Sequence, residues 1–505
     1  MRGWIKKSVR DTLLGAMVQE DAGFLASRRK FLRTSALLAS SLVLPSRLPA
    51  GGAGCRIAIV GAGIAGLHAA HLLKKKGLSA AVYEASGRVG GRMMTMRDTF
   101  GPGLHAEIGG EFIDPWHDDI LGLAREFGLE LLDLRADDPS LQSTLFFDGR
   151  LHSEEELMEE IQPFAGRLRE DLERFPTDLD TLSWRDASAW SAIDQMSLSA
   201  YLDSIGMRGW VREYYCRQMA SYYTMDAGQQ SAVNLFLLLD LPGGEAKEPS
   251  EVLKIREGND TLVRRIGESL GDQIHLGYAL QEIHRTRSRG FSLFFENRGR
   301  RRRVEADLVL LALPFTRLRE VKTIGFSWSA RKEACIQTLG YGNGAKIFLG
   351  TKERTWRRNG FDGGFLSDTA AASGWDSSRM QDGETGIITV FGGGAIGTDA
   401  ETLSAAELKQ KYSDSLEKCW PGFKTACQGN IQKFSWQDYP FNRGSYTAYQ
   451  PGQWTLFGGL EKEPEGDVFF AGEHCSVTFQ GYMNGGAQTG RLAAEAMLKK
   501  LLIKC

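Results

Sequence analysis

The chain lacks most of the features that hold small or membrane-anchored proteins together. Its seven cysteines (55, 216, 335, 419, 427, 475 and 505) are scattered, odd in number and without C-x-x-C spacing, which argues against a metal site such as zinc and against a disulfide framework. A single bridge, for instance Cys419 to Cys427, stays open in an oxidising compartment. No charge of one sign dominates: a formal net charge of -2 gives no reason to expect nucleic acid or an anionic membrane as partner. Nor is there a stable membrane span near the N-terminus, because the mildly apolar run Thr34 to Leu44 is too short. With 42% hydrophobic and 25% charged residues there is no disordered bulk and ample material for a core. At 505 residues the chain exceeds one compact core, so two or three interleaved domains are expected.

What is present begins with an address. Ser27, Arg28, Arg29, Lys30, Phe31, Leu32 and Arg33 match the twin-arginine pattern ahead of that apolar run. Residues 1–53 read as an export signal, with cleavage after Ala50 or Ala53. An N-terminal amphipathic helix is the weaker reading, since the run ends in Pro45 and Pro49. Cys55 follows no lipobox, because Gly52 stands where an aliphatic residue is wanted. The expected location is periplasmic or secreted, with the twin-arginine machinery as partner.

Glycine is concentrated in the stretch that follows. Ile57 to Val60 is a continuous apolar run, as in a strand buried on both faces of a parallel sheet, and it stops at Gly61. Gly61, Gly63 and Gly66 spell G-x-G-x-x-G. The first permits the tight turn, the second admits a pyrophosphate to the backbone, and the third lets a helix pack on the strand. A diphosphate here would meet the free N–H groups at Ile64 and Ala65 and the positive end of the helix dipole. Ala80 to Tyr83 is a second strand ending at Glu84, about 20 residues past the turn, where a ribose needs an acceptor. Strand, turn, helix, strand and acid in this order are far more specific than the glycines alone.

Gly87, Arg88, Val89, Gly90, Gly91 and Arg92 then put two cations on a pliant backbone, suited to a second approach to the diphosphate. Here the chain resembles the flavin-dependent amine oxidase family, which includes monoamine, polyamine and L-amino acid oxidases and in which E-x-x-x-R-x-G-G-R binds FAD. Glu107 to Ile113 is similar to the element beside the flavin ring, which implies contacts from Gly109, Gly110 and Glu111. Arg256 to Leu262 is similar to the G-G-x-x-x-L helix start, with Glu257 in place of the first glycine. Strands follow at Ile274 to Leu276 and Leu280 to His284, and the family puts the backbone of Leu280 against adenine. Ala306 to Pro314 is another buried strand. Phe469 to His474 resembles the F-A-G-E-H strand end, and Gly481 to Gly490 the start of the last helix, implying FAD contacts from Gly472, Glu473, Gly481, Tyr482 and Met483. The resemblance covers nearly all of Cys55 to Leu501 and is weak from about 150 to 250.

It implies an α/β fold: a Rossmann-type FAD-binding domain of the two-dinucleotide-binding type, from 55–130, 251–325 and 440–505, interleaved with an α+β substrate domain from 131–250 and 326–439. The cofactor is expected to be FAD without a covalent link, because Ser445 stands where tethering monoamine oxidases carry the attached cysteine. The twin-arginine route carries folded proteins, which suits an enzyme loaded with FAD before export. The implied reaction is oxidation of an amine C–N bond to an imine, with oxygen reduced to hydrogen peroxide. An L-amino acid oxidase is the alternative; a C–C dehydrogenase of the same fold, such as a phytoene desaturase or protoporphyrinogen oxidase, and a flavin-loaded protein without turnover also stay open, as does a homodimer.

Catalytic residues are expected at three positions. Lys346 opens an apolar strand in YGNGAKIFL, where a lysine is costly to bury unless partnered, and many family members carry a lysine there that holds a water to the flavin. Tyr446 and Tyr482 match the two tyrosines between which monoamine oxidases guide the amine nitrogen. Glu111 is a candidate to pair with a distal ammonium, which would favour a diamine or polyamine. Trp356 is also family-like. Ile120 to Leu131 recurs at helical spacing, and 153–239 is rich in helical periodicity. The aromatics Trp210, Tyr214, Tyr215, Tyr222 and Tyr223 read as core more readily than as a channel. Residues 291–305 read as a hairpin with Arg298 to Arg303 in a solvated turn.

Overall fold

All four residues of the apolar run Ile57–Val60 are buried, and the run pairs in parallel with Ala80–Glu84 on one side and Leu308–Leu311 on the other. Val468–Phe470 and Ile274–Leu276 complete an all-parallel five-stranded sheet at its two edges. Strands from three distant stretches of chain thus share one sheet. The computed structural model describes residues 54–176, 179–239, 251–286 and 290–504, so the twin-arginine segment and Cys505 lie outside the described residues.

Parallel strands need helices over both faces. Ile64–Lys75 supplies one, burying Ile64, Leu67 and Leu73 and ending on Lys74 and Lys75, where the helix dipole favours cations. The last helix, Met483–Lys504, crosses it so closely that a Cβ on Gly490 would stand 2.2 Å from the Ala65 carbonyl oxygen.

The second large sheet has seven strands in the order 431–435, 345–351, 386–392, 373–376, 361–367, 142–147 and 150–152. It is antiparallel except where 361–367 runs beside 142–147. Ala345–Thr351 and Gly386–Gly392 are buried throughout, and helices drawn from 153–239, among them Gly209–Tyr223, cover it. Tyr214, Tyr215 and Tyr223 are buried there as core. So is Trp356, whose indole N–H donates to Asp376 Oδ2 at 3.1 Å.

Two expectations are corrected. The helix at Ile120 spans only Asp118–Glu126, because Gly128 turns the chain at φ 64°; Leu131 instead opens the strand Leu131–Asp133, which pairs with Leu253–Ile255. The hairpin turn is confined to Arg298 and Gly299, since the ladder resumes at Asn297 opposite Arg300, and Arg300 to Arg303 are exposed strand residues. One of them, Arg301, packs its guanidinium 4.2 Å from the centre of the Phe294 ring. The bridge that the sequence leaves open between Cys419 and Cys427 is not formed, both cysteines being buried and free.

Candidate active site

Where the parallel strands end, Val60, Gly61, Tyr83 and Glu84 border a cavity of about 380 Å³, the position at which open α/β sheets hold their ligands. Gly61 turns the chain at φ 107°, and a Cβ on it would lie 2.5 Å from the Ala312 carbonyl oxygen. A Cβ on Gly66 would lie 2.0 Å from the Gly61 carbonyl oxygen, so the third glycine seats the helix under the turn. Gly63 differs: a Cβ there would meet nothing within 4 Å, and the residue lines the cavity. The helix starts at this glycine with no side-chain cap, which leaves its first N–H groups to a ligand.

Side chains from both ends of the chain hold this arrangement in place. Glu84 Oε2 accepts from the Ala62 N–H at 2.8 Å, and Oε1 from the N–H and hydroxyl of Ser86 at 2.8 and 2.7 Å. The Gly90 N–H donates to the Ala62 carbonyl at 2.7 Å, hooking the arginine loop to the glycine turn. Arg88 braces that loop through the carbonyls of Val89 and Met93, each at 3.2 Å. Arg92 reaches across to Glu473 Oε1 and to the Ser445 carbonyl, both at 2.7 Å, and Glu473 Oε2 accepts from the Gly481 N–H at 2.9 Å. A bare glycine face, an uncapped helix start and a carboxylate one strand away form the donor and acceptor set of an adenine dinucleotide, and these residues fit FAD.

Lys346, 3% exposed, also lines the cavity. An ammonium so deeply buried must be partnered. Its Nζ donates to the carbonyls of Glu107 and Gly109 at 2.6 and 2.9 Å and to Glu111 Oε2 at 3.0 Å. Glu111 Oε1 in turn accepts from Lys254 Nζ at 2.9 Å and from the Ser377 hydroxyl at 3.1 Å. Burial pushes the Glu111 carboxyl up, but Lys254 and Lys346 outweigh it and hold the group at about 2. Glu107, equally buried, is pushed up to about 7, with the Asn259 N–H and Lys254 drawing it back only in part. The walls here are aromatic. Trp375 and Phe391 flank the Lys346 ammonium with ring centres 5.1 and 5.9 Å away, and Tyr446 and Tyr482 also line the cavity. The Tyr446 hydroxyl donates to the Ser221 carbonyl at 3.3 Å, and the Tyr482 ring packs edge-on against His117 at 5.2 Å.

All the residues expected at the site line this one cavity except Gly66, which lies beneath the turn. Trp356 and the 210–223 aromatics do not line it. Sequence reasoning missed Lys254, Asn259, Trp375 and Phe391. Asn259 ties the loop from Gly109 to Glu111 to the strand end at Ile255, accepting from the Ile255 N–H at 3.0 Å and donating to the carbonyls of Gly110 and Glu111 at 2.9 and 2.7 Å. Lys254 carried the same signal as Lys346, a lysine between apolar neighbours.

The family model for flavin containing amine oxidoreductases matches residues 64–498, and the chain belongs to that family. Membership makes it an FAD-dependent oxidoreductase of amines. Among curated relatives, the flavin-containing amine oxidase A of Equus caballus is 24% identical over 461 residues, covering 88% of this chain and 85% of its own. YobN of Bacillus subtilis (strain 168), whose name assigns it provisionally to the L-amino-acid oxidases, is 26% identical over 481 residues, covering 87% and 94%. Of solved structures, putrescine oxidase bound to putrescine aligns with a TM-score of 0.76 at 21% identity, over 88% of this chain and 99% of that one. Cyclohexylamine oxidase from Brevibacterium oxydans IH-35A aligns with the same values. At this identity the likeness establishes the fold.

Proposed function

We propose that the protein oxidises the C–N bond of a monoamine carrying no second charge, giving an imine that hydrolyses to a carbonyl compound and ammonia or an amine, while oxygen takes up the two electrons and two protons as hydrogen peroxide. One observation carries this reading: every carboxylate and guanidinium among the described cavity-lining residues already has a protein partner. Glu84 is bonded to the glycine turn and Ser86, Glu111 to two lysines, and Glu473 to Arg92. Glu320 sits between Arg317 and Arg443 at 2.8 and 2.6 Å, and Arg88 is bonded to its own loop. A second ammonium would have to displace a lysine from Glu111, which weakens the diamine reading. A substrate carboxylate would have to displace a glutamate from Arg92, Arg317 or Arg443, or the loop carbonyls from Arg88, although an amino acid oxidase needs that bidentate contact.

Bound FAD supplies the two-electron acceptor. The chain's part is positioning. Gly63 and the helix start would take the diphosphate, Glu84 a ribose, the loop from Gly109 to Glu111 and the turn from Gly481 to Met483 the flavin end, and Leu280 the adenine. Tyr446, Tyr482, Trp375 and Phe391 would exclude water and lead the neutral amine nitrogen between aromatic faces. Lys346, whose three N–H donors are taken up by Glu107, Gly109 and Glu111, would give up one of these contacts to orient a water and handle a proton at the reacting end. The FAD is non-covalent in this reading: Ser445 is a serine, and no cysteine or histidine is among the described lining residues. Acid precipitation should therefore release the yellow colour to the supernatant. The discontinuous domain division at 55–130, 251–325 and 440–505 is supported by the strands these stretches give to the parallel sheet.

The likeness to YobN keeps L-amino acid oxidation as the second reading. Comparison of kcat/KM for phenylethylamine, tyramine, putrescine and the parent L-amino acids separates the two. A preference for the aryl monoamines is expected, and a preference for the amino acids would replace the proposal with the second reading.

A further inference from the structure

The strand Leu253–Ile255 carries a lysine outside every motif described above. Lys254 is 2% exposed between buried Leu253 and Ile255, and its Nζ lies 2.9 Å from Glu111 Oε1 and 3.4 Å from the Ser377 carbonyl oxygen. The second Glu111 oxygen lies 3.0 Å from Lys346 Nζ, so one carboxylate holds two ammonium groups brought from distant parts of the chain. Glu111 and Lys346 line the cavity, whereas Lys254 is not among its lining residues.

Two ammonium groups on one carboxylate leave an excess positive charge where water is excluded, and such a charge is held only if it is balanced nearby. Glu107 is placed to balance it. Its backbone carbonyl accepts from Lys346, and its buried carboxyl is drawn toward the ionised form by Lys254. The other charged or titratable groups around the cluster are His105 on the same short strand, Arg97 on its partner strand, and Asp260 at the next helix start. Arg97 and Asp260 pair with each other at 2.6 Å.

We infer that Lys254 is a positioning residue for the amine oxidation: by sharing Glu111 with Lys346 it fixes the place and charge of the Lys346 ammonium at the cavity wall. Without Lys254, Glu111 and Lys346 would balance each other alone, and Glu107 would lose a cation that favours its ionised form, so Glu107 would ionise only at higher pH. This rests on the oxidase reading of the site, in which Lys346 stands at the reacting end.

The test compares the FAD-loaded wild type with Lys254→Met and Lys254→Arg. Two quantities are followed against pH: the limiting rate of flavin reduction by an amine in stopped flow, and the absorbance of the bound flavin without substrate. Lys254→Met should move the acid limb of the rate profile, and the substrate-free flavin transition, to higher pH by about one unit. Its limiting rate near neutrality should fall roughly tenfold. KM should stay unchanged, because Lys254 does not line the cavity, and Lys254→Arg should restore both readouts. An unmoved limb and flavin transition, or an arginine variant as impaired as the methionine one, would overturn the inference. If Lys254→Met does not fold, Lys254→Gln, which puts a neutral polar amide in place of the ammonium, must show the same displacement, and its failure to do so is equally decisive. Reduction of the wild type by amines tests the oxidase reading separately, and the substrate-free transition requires no turnover.

Discussion

Lys346 and Glu107 show how one buried cluster can serve both chemistry and stability. Because Glu111 remains paired with Lys254 when Lys346 is removed, Lys346→Met should fold and keep its FAD, while flavin reduction or reoxidation slows about a hundredfold. Half-reaction rates equal to those of the wild type would make Lys346 purely structural. Glu107 affects stability through its proton. Burial raises this carboxyl from its ordinary 4.5 to about 7, so between those values the folded chain keeps a proton that the unfolded chain releases. The stabilising contribution is complete below the lower value and is lost as pH rises through the upper one. Glu107→Gln removes that titration, and Gln keeps an acceptor for the Asn259 N–H. Its melting temperature, measured from about pH 5 to about pH 7.5, should therefore fall less with rising pH than that of the wild type; parallel curves would contradict the assignment.

The glycine turn was legible in the sequence because each of its demands is local. Gly61 needs a positive φ, Gly66 must clear a carbonyl, and Gly63 must leave space, and these separate cleanly on substitution. Gly63→Val has room and an ordinary extended backbone, so it should fold as well as the wild type yet bind FAD at least about tenfold more weakly. Gly66→Ala sets a methyl against backbone and should cost about 1–3 kcal/mol in chemical denaturation. Equal FAD affinity for Gly63→Val would remove the diphosphate from this turn. Lys346 was legible for a related reason, since a lysine opening an otherwise apolar strand advertises a hidden partner. Lys254 carried the same contrast within a strand of three residues, too short for a periodicity to stand out, and its partner lies 143 positions away. Trp375 and Phe391 reach the site only through sheet pairing across the second half of the chain, which no local pattern encodes. The basic run at 300–303 looked like a turn because charge marks exposure, not backbone conformation; the ladder with 291–297 decided it.

For the whole molecule, the parallel sheet gathers strands from residues 57 to 470 around one cavity, so FAD binding and folding are coupled over nearly the full chain. That coupling suits export of an already folded protein. Export through the twin-arginine route is our proposal for the N-terminal motif. Replacing Arg28 and Arg29 with lysine should leave flavin-loaded precursor in the cytoplasm, and normal export of that variant would refute it. The central claim is that this cavity passes electrons from a neutral monoamine to FAD. Anaerobic mixing of the purified, FAD-loaded protein with phenylethylamine, phenylalanine and putrescine, followed by flavin absorbance, tests it without reliance on oxygen. Rapid bleaching by phenylethylamine, with phenylalanine and putrescine at least about tenfold slower, is the predicted result; bleaching by phenylalanine alone, or by none of the three, would contradict it.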